Sequence, residues 1–262
     1  ASINALFPGT SVSAGHAVTA TATVDLGGGN YGSTSEFSAN MICMNPPVNT
    51  VPGAQGVNED SSLVISGVSV ADPDGNLASV RLTVGNGTLG VSLAGGASIS
   101  AGANSSASLT LAGTQAQINA ALAAITYQGT THFNGSDTLT VLSTDALGAT
   151  GSDTVAITVN PVNDAPVITS HGGGNSAAVS VAENIGAVTT LTSTDVDAQT
   201  PSYAIAGGAD AVRFVIDSVT GALSFVIAPD FEAPSDADAD NVYEVTVQVA
   251  DGNGGFDTQA LS

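Results

Sequence analysis

Alternation of apolar and polar residues with a period of two recurs in seven segments of this chain, and it is the strongest constraint on the fold. β-Branched residues are frequent in these segments, and turns rich in Gly, Asn, Asp and Pro separate them. Such a pattern is typical of strands that bury one face, so it predicts an all-β chain built from β-sandwiches. The segments are VTATATVDL at 18–26, ASVRLTV at 78–84, SASLTL at 106–111, DTLTVLST at 137–144, DTVAITV at 153–159, ALSFVI at 222–227 and YEVTVQVAD at 243–251.

One stretch, TQAQINAALAAI at 114–125, has a helical period instead. Thr114 stands where a helix N-cap is expected, because its hydroxyl can accept a hydrogen bond from a free backbone N–H of the first turn. We therefore expect one short helix that bridges the sheets. Its apolar face would consist of Ile118, Ala121, Leu122 and Ile125.

Internal repeats divide the chain. TVDLGGGN at 23–30, STDALGAT at 143–150 and VADGNGGF at 249–256 each end a strand in Asp before a glycine-rich turn. The linkers NPPVNTVP at 45–52 and NPVNDAP at 160–166 follow the first two. The repeats predict that 1–48 is the C-terminal hairpin of a preceding repeat, that 49–164 is one whole repeat, and that 165–262 is another with a shortened last strand.

The charge of the chain is very unbalanced, with 23 acidic residues against Arg81 and Arg213 alone and a formal net charge of -21. Nucleic acids and anionic membrane surfaces are excluded as partners, because both are bound through Lys and Arg. No run approaches the roughly 18 apolar residues of a membrane span, so we expect no membrane insertion of this segment. A single cysteine allows no intramolecular disulfide, so a core, a partner or metal ions must stabilise the fold.

The acidic residues occur in a recurring order. In 165–262 the order is Glu183, Asp195, Asp197, Asp230, Glu232 and Asp251. In 49–164 part of it returns as Glu59, Asp72, Asp74 and Asp145. Side chains at i and i+2 of an extended chain share a face, so each Asp-x-Asp aims two carboxylates to one side. Converging carboxylates repel, and calcium (Ca2+) accepts six to eight oxygens in irregular geometry, so the order predicts calcium binding.

The segments VAEN, TDVDA, DFEAPSDADADNVYEVTVQVADGNGG and NDAP resemble the calcium-binding motifs of cadherin repeats in bacterial cadherin-like adhesins. The resemblance extends over almost all of 165–262. Residues 49–164 are similar to the Ig-like tandem repeats of giant bacterial surface proteins, without an equivalent of the DFE segment. The resemblance implies tandem Ig-like and cadherin-like β-sandwiches joined end to end.

The resemblance also implies three sets of metal ligands. The joint between the two full repeats would collect Glu59, Asn163, Asp164, Asp195, Asp197 and Asp251, with Asp137 as a weaker candidate. Another joint around Asn49 would receive Asp72, Asp74 and Asp145, with Thr50 in place of the linker acid. A further joint beyond Ser262 would receive Glu183, Asp230 and Glu232.

Three other motifs are weaker. SDADADN at 235–241 has Asn241 where an EF-hand requires glycine and Val247 where it requires a bidentate Glu, so we interpret it as an acidic loop, with a loosely held ion as the alternative. GNGTLG at 85–90 precedes no helix, and HGGG at 171–174 has no accompanying GxSxG elbow. We expect that the chain is not an enzyme.

The expected function is mechanical: calcium-rigidified stalk repeats of a secreted or cell-surface bacterial adhesin. Its partners would be neighbouring repeats of the same chain and a homotypic or surface ligand. One alternative is a filament-forming or partner-binding module that assembles by β-strand addition. The other is an accessory region of a secreted hydrolase.

Overall fold

The computed structural model describes residues 45–262 and, before them, the backbone of two short antiparallel strands, Ala20–Ala22 (β1) and Ser35–Phe37 (β2). The rest of the hairpin and the glycine-rich turn predicted for 1–48 lie outside the described residues. The chain divides into two compact units, Ala1–Pro161 and Val162–Ser262.

The described part of the first unit beyond residue 44 contains strands and one helix. They are Val48–Thr50 (β3), Gln55–Asn58 (β4), Ser62–Ser66 (β5), Ser69–Ala71 (β6), Leu77–Thr83 (β7), Gly87–Gly90 (β8), Ser98–Gly102 (β9), Ser108–Ala112 (β10), Gln115–Leu122 (α1), Ala124–Gly129 (β11), Gly135–Asp145 (β12) and Thr150–Asn160 (β13). One sheet has the order β4-β13-β12-β7-β10-β9, a second has the order β5-β11-β8, and β3 pairs with β6. All these pairs are antiparallel except β4 with β13.

Alternating side chains from both sheets form the core of the first unit. Along β12 every second residue is buried, as the period of two in the sequence predicts. Leu139 and Val141 of β12 pack in this core with Tyr127 of β11 and Leu82 of β7, all fully buried. Burying each such side chain stabilises the unit by about 1.5–3 kcal/mol.

The predicted helix is confirmed as α1. Thr114 Oγ1 accepts the N–H of Gln117, and the Gln117 side chain accepts the N–H of Thr114, which is a complete capping box. Ile118, Ala121 and Leu122 are its buried residues. Ile125, predicted on the same helical face, is also buried but lies in β11.

The second unit is smaller. Its strands are Val167–Ile168 (β14), Ser176–Ala177 (β15), Ala187–Thr190 (β16), Ser193–Thr194 (β17), Ser202–Gly207 (β18), Phe214–Ile216 (β19), Ala222–Phe225 (β20), Val245–Ala250 (β21) and Phe256–Leu261 (β22). One sheet has the order β15-β22-β21-β18, another has the order β16-β20-β19, and β14 pairs with β17. Single-turn 3-10 helices occupy Ser170–Gly172 and Ala211–Arg213. Strands dominate both units, so the predicted all-β class is confirmed.

Aromatic rings occupy one end of the second core. Phe214 stacks on Phe225 with ring centroids 4.6 Å apart, and Tyr243 meets the Phe225 ring edge-on at 5.1 Å. Val247 and Val249 of β21 are fully buried beside them. Within the described part of the chain, no helix is long and apolar enough to cross a membrane.

A similar strand pair lies at each linker. In the first, Val48 of β3 is paired with Ala71 of β6. In the second, Val167 of β14 is paired with Thr194 of β17. Because these pairs match, the loops that follow β6 and β17 can be compared residue by residue.

Candidate metal centres

The loop after β17 presents polar side chains at every second position. Asp195, Asp197 and Gln199 are partly buried, whereas Val196 and Ala198 between them are exposed. The backbone N–H of Asp197 donates to Asp195 Oδ1 at 2.8 Å, which fixes the turn. Asp195 Oδ2 is buried and has no hydrogen-bond partner among the described residues. A buried carboxylate oxygen of this kind normally costs a few kcal/mol unless a cation or donor satisfies it.

The linker residues of NDAP are hydrogen-bonded to this loop and to Asp251. The backbone N–H of Asp164 donates to Asp197 Oδ2 at 2.8 Å. Asn163 Nδ2 donates to Asp251 Oδ2 at 2.7 Å, and Gln199 Nε2 donates to Asn163 Oδ1 at 2.6 Å. Five of the six residues predicted for this set therefore lie together in the second unit. Asn163 contacts the carboxylate through its nitrogen, so it orients Asp251 here instead of offering an oxygen.

Asp251 is held by the glycine-rich turn that follows it. Its Oδ1 accepts the N–H groups of Asn253 at 2.6 Å and Gly255 at 3.0 Å. The hydrogen bond from Asn163 lowers the pKa of Asp251; burial raises it, and the N–H bonds from the turn lower it further, so the net pKa is below its ordinary value. A Cβ at position 255 would overlap Asp251 Oδ2, so glycine is required there. The carboxylate is therefore ionised and fixed in position.

The first unit repeats this arrangement after β6. The N–H of Asp74 donates to Asp72 Oδ1 at 3.0 Å, as Asp197 does to Asp195. Asp145 Oδ1 accepts the N–H groups of Leu147 at 2.9 Å and Ala149 at 2.8 Å, as Asp251 does in its own turn. Three buried oxygens here have no hydrogen-bond partner within the part of the chain that is described: Asp72 Oδ2, Asn76 Oδ1 and Asp145 Oδ2.

The linker residue that completes the first arrangement is Asn45, and the predicted joint around Asn49 was wrong. The backbone N–H of Asn45 donates to Asp74 Oδ2 at 3.0 Å, which is the bond that Asp164 makes to Asp197. Asn45 Nδ2 also donates to Asp74 Oδ1 at 2.8 Å. Asn45 therefore stands at the position of the linker acid.

Asn49 and Thr50 lie within β3 instead. Asn49 is buried, and its Nδ2 donates to the carbonyl of Val141 at 3.2 Å and to Asp153 Oδ2 at 3.3 Å. The physical reason is the strand register: Val48 pairs with Ala71 as Val167 pairs with Thr194, so Asn45 and Asp164 each stand three residues before the paired valine.

A third group contains Glu183, Asp230 and Glu232, which the structure brings together at the surface of the second unit. One oxygen from each lies within 4.8 Å of the others, and all three residues are exposed. The N–H of Phe231 donates to Glu183 Oε2 at 3.3 Å, so the VAEN and DFE segments touch as the family pattern implies.

Glu59 and Asp137 of the first unit have different surroundings. Glu59 follows β4 directly; its N–H donates to the carbonyl of Asn160 at 2.9 Å, and its Oε2 accepts Asn134 Nδ2 at 3.4 Å. Asp137 accepts four hydrogen bonds, from the N–H groups of Gly85, Asn86 and Thr138 and from the Tyr127 hydroxyl. Both of its oxygens are thus satisfied by the protein, so Asp137 has a structural role and is not a late ligand.

Sequence reasoning missed Asn76, Gln199 and the role of Asn45. Asn76 and Gln199 follow each Asp-x-Asp at the next alternate position, in DPDGN and DVDAQ. The period of two that revealed the aspartates extends to these amides, so the signal was present. Both amides offer a buried oxygen without a partner among the described residues.

The donors in both loops fit a hard divalent cation. They are carboxylate and amide oxygens without thiolates or imidazoles, the set that suits Ca²⁺ rather than Zn²⁺. Their unpaired buried oxygens indicate where such an ion would be held: Asp195 and Gln199 in the second unit, and Asp72, Asn76 and Asp145 in the first.

Comparisons with known proteins found one matching family model and several similar solved structures. The family described as "Protein GAMETE EXPRESSED 2 domain" matches residues 57–155, less than half of the chain. No curated protein matches this chain. Similar solved structures include repeats EC22-24 of mouse cadherin-23, at 18% identity and a TM-score of 0.41, over 83% of this chain and 63% of that one. Another is protocadherin gamma C5 EC1-3, at 17% identity and a TM-score of 0.45, over 83% of this chain and 67% of that one.

A third similar structure is the protocadherin gammaB7 EC3-6 cis-dimer, at 19% identity and a TM-score of 0.42, over 83% of this chain and 50% of that one. The chain thus spans 63% and 50% of the length of two of these relatives. At these identities and scores the likeness concerns the fold and says nothing about ligands or partners.

Proposed function

We propose that this chain is a segment of an extracellular, cell-surface stalk of the bacterial adhesin type, in which calcium bound by the linker and loop carboxylates stiffens the chain. The observation that carries the proposal is the buried, unpaired Asp195 Oδ2, which lies in the loop that binds the linker residue Asp164. An oxygen of this kind needs a cation or a hydrogen-bond donor, and the described residues supply it with neither.

Charge repulsion explains why the ion would matter. Asp164, Asp195, Asp197 and Asp251 contribute four negative charges to one small region. Two carboxylates 4 Å apart repel by about 1 kcal/mol in water and by about 4 kcal/mol at a partly buried site. Without a cation, only individual hydrogen bonds hold the linker against the second unit. A divalent ion that binds several carboxylates converts this repulsion into attraction.

Stiffening follows from where these linker residues stand in the chain. Asn163 and Asp164 come only a few residues after β13 ends at Asn160, and Pro161 and Pro166 flank them. Proline fixes φ near −65°, so the remaining freedom lies in the residues between the two prolines. Fixing Asp164 to the loop of the second unit removes most of that freedom. Glu59 remains a predicted further ligand, which Glu59→Gln tests.

The proposed sites suit an extracellular setting. Extracellular calcium modules bind with dissociation constants of about 10⁻⁴ to 10⁻³ M, so millimolar calcium fills them and cytosolic calcium does not. The net charge of -21 maintains solubility while the ions neutralise local clusters.

The test combines calorimetry with small-angle X-ray scattering, in chelator and in about 1 mM calcium. The chain is compared with the double variant Asp195→Asn/Asp251→Asn. A matched control, Asp217→Asn/Glu244→Gln, also removes two charges from the second unit but leaves the proposed ligands intact.

Calcium should raise the melting temperature of the unmodified chain and of the control. In both proteins it should also narrow the distribution of interatomic distances measured by scattering and give it the form expected of an extended particle. The double variant should show no narrowing of this distribution and a smaller rise in melting temperature, because the other carboxylate groups stay intact. Identical melting and scattering of the unmodified chain in chelator and calcium would refute the proposal.

A further inference from the structure

The loop between β20 and β21 holds a separate group of carboxylates, none of which belongs to the linker. Its aspartates alternate along the chain at Asp236, Asp238 and Asp240. One carboxylate oxygen from each lies within 4.8 Å of the other two. Asp238 and Asp240 are exposed, whereas Asp236 is only 9% exposed.

Asp236 offers an unsatisfied oxygen to this group. Its Oδ2 accepts the N–H of Asp240 at 2.8 Å. Its Oδ1 is buried and finds no hydrogen-bond partner anywhere in the described residues. A carboxylate that is nine-tenths buried with one free oxygen among other carboxylates indicates a missing positive partner.

The residues that the structure describes supply no cationic partner to this loop. The chain has no lysine, and the one ion pair among the described residues joins His132 to Asp60 in the first unit. No cationic side chain among the described residues forms an ion pair with this loop, so the repulsion among its three carboxylates is not offset.

A fourth aspartate fixes the loop in place. Asp210 is 3% exposed, and its two oxygens accept the N–H of Ala237 at 2.7 Å and the N–H of Glu244 at 2.8 Å. The N–H of Val242 donates to Asp240 Oδ1 at 2.8 Å. Because Asp210 holds Ala237 and Glu244, on either side of Asp238 and Asp240, the three carboxylates converge before any ion arrives. Preorganisation of this kind lowers the cost of binding.

We propose that Asp236, Asp238 and Asp240 form a second kind of calcium site, contained within one loop of the second unit and independent of the linker. Three carboxylates, completed by backbone carbonyls and water, suit the irregular oxygen coordination of Ca²⁺ better than the strict octahedron of Mg²⁺. The site lacks the glycine and the bidentate Glu of an EF-hand, since Asn241 and Val247 occupy those positions. Its affinity therefore falls in the weak extracellular class.

The test counts bound ions by equilibrium dialysis against calcium chloride, with metal analysis of the protein. Asp238→Asn removes one ligand, and Glu244→Gln removes the same charge nearby without touching the three aspartates. Asp238→Asn should bind one calcium ion fewer per chain than the unmodified protein, whereas Glu244→Gln should bind the same number. Equal ion counts for Asp238→Asn and the unmodified protein would overturn the proposal.

Melting curves show whether Asp238→Asn folds and provide a second readout. In chelator this variant should melt at the same or a higher temperature than the unmodified chain, because it removes like-charge repulsion. In calcium the order should reverse. A lower melting temperature in both conditions would assign Asp238 a purely structural role.

Failure of the linker proposal can be distinguished from failure of this one. Asp195→Asn/Asp251→Asn keeps the loop site and should retain the ion that Asp238→Asn loses. Loss of that ion from both variants would contradict an independent loop site.

Discussion

At the scale of single residues, the carboxylate of Asp137 stabilises the core of the first unit. It is 6% exposed and accepts one hydroxyl and three backbone N–H donors. Asp137→Asn replaces one acceptor oxygen by a donor that faces other donors, so we expect a loss of about 3 kcal/mol in the free energy of unfolding. Tyr127→Phe removes only the hydroxyl and should cost about 1–2 kcal/mol. Urea unfolding followed by near-ultraviolet circular dichroism measures both, and equal stability of Asp137→Asn and the unmodified chain would contradict the assignment.

Asp137 also makes the free energy of unfolding depend on pH. Burial raises the pKa of Asp137, but the N–H donors of Asn86, Gly85 and Thr138 and the Tyr127 hydroxyl outweigh burial and lower its pKa overall. A carboxyl whose folded pKa is depressed stabilises the fold above its unfolded pKa of about 3.9, and this stability is lost as the pH falls through the folded pKa. The stability difference between the unmodified chain and Asp137→Asn should therefore be full at neutral pH and shrink below about pH 4. Urea midpoints over this range test it; a difference that grows in acid would refute it.

Asn45 distinguishes the first carboxylate loop from the second. Its N–H and Nδ2 satisfy both oxygens of Asp74, whereas Asp164 brings a charge to the equivalent position. Asn45→Asp should cost about 1–2 kcal/mol in chelator, because a carboxylate then replaces the Nδ2 donor and faces the carboxylate of Asp74. In calcium the same variant should recover that loss and bind the ion more tightly than the unmodified chain. Calorimetric titration of both proteins provides the measurement, and unchanged affinity would exclude a linker ligand at position 45.

The order of acidic residues was enough to predict which aspartates lie near the linker of the second unit. That these aspartates bind calcium stays a prediction. The register of the first linker could not be predicted, since pairing of Val48 with Ala71 depends on residues far apart in the sequence. The four donors around Asp137 were equally hidden, because Gly85 and Asn86 approach it only in the folded sheet.

At the scale of elements, helix α1 positions the first carboxylate loop. Asn119 hydrogen-bonds both the N–H and the carbonyl of Val70 in β6, at 2.8 and 2.9 Å, and Gln115 accepts the N–H of Asp72 at 3.0 Å. Because β6 leads directly into Asp72, a defect in this contact should disturb the ligands.

Asn119→Ala should therefore reduce the free energy of unfolding by about 2–3 kcal/mol and also weaken calcium binding, because both Val70 groups lose their partners. Thr114→Ala removes only the helix cap, so it should cost about 1 kcal/mol with calcium affinity unchanged. Chemical unfolding and calcium titration of the two variants separate the effects. Equal calcium affinity in Asn119→Ala and the unmodified chain would show that the helix does not position the loop.

Strands with strong alternation were predictable, and six of the seven predicted segments coincide with β7, β10, β12, β13, β20 and β21. The seventh, at 18–26, is described only at Ala20–Ala22. Short strands such as β15 and the parallel pairing of β4 with β13 were not predictable. A strand of two to four residues is too short to show the alternation of apolar and polar residues. The partner of a parallel strand is set by the three-dimensional fold, so the local sequence does not reveal it.

At the scale of the whole molecule, the net charge is -21, so salt and calcium can each stabilise the fold. They do so in different ways, and the two effects can be measured separately. Sodium chloride screens dispersed surface charges, since the Debye length falls from about 8 Å at 0.15 M to about 3 Å at 1 M. Partly buried carboxylates that already face one another are screened much less. Calcium, in contrast, binds the folded arrangement and adds RT ln(1 + [Ca²⁺]/Kd) to its stability, about 1.4 kcal/mol per site at tenfold excess over Kd.

About 1 mM calcium in 0.15 M sodium chloride should therefore raise the melting temperature by about 4–8 °C, because 1 kcal/mol shifts a unit of about 100 residues by that order. Sodium chloride at about 1 M without calcium should raise the melting temperature by less. Magnesium at the same concentration as calcium should give a melting temperature between those in chelator and in calcium, because Mg²⁺ gives up its water ligands reluctantly. Differential scanning calorimetry of one protein stock in the four buffers measures all of these shifts. If sodium chloride at about 1 M stabilised the chain as much as calcium, general screening of the negative charges would explain the acidic clusters. Specific coordination of calcium would then not be needed.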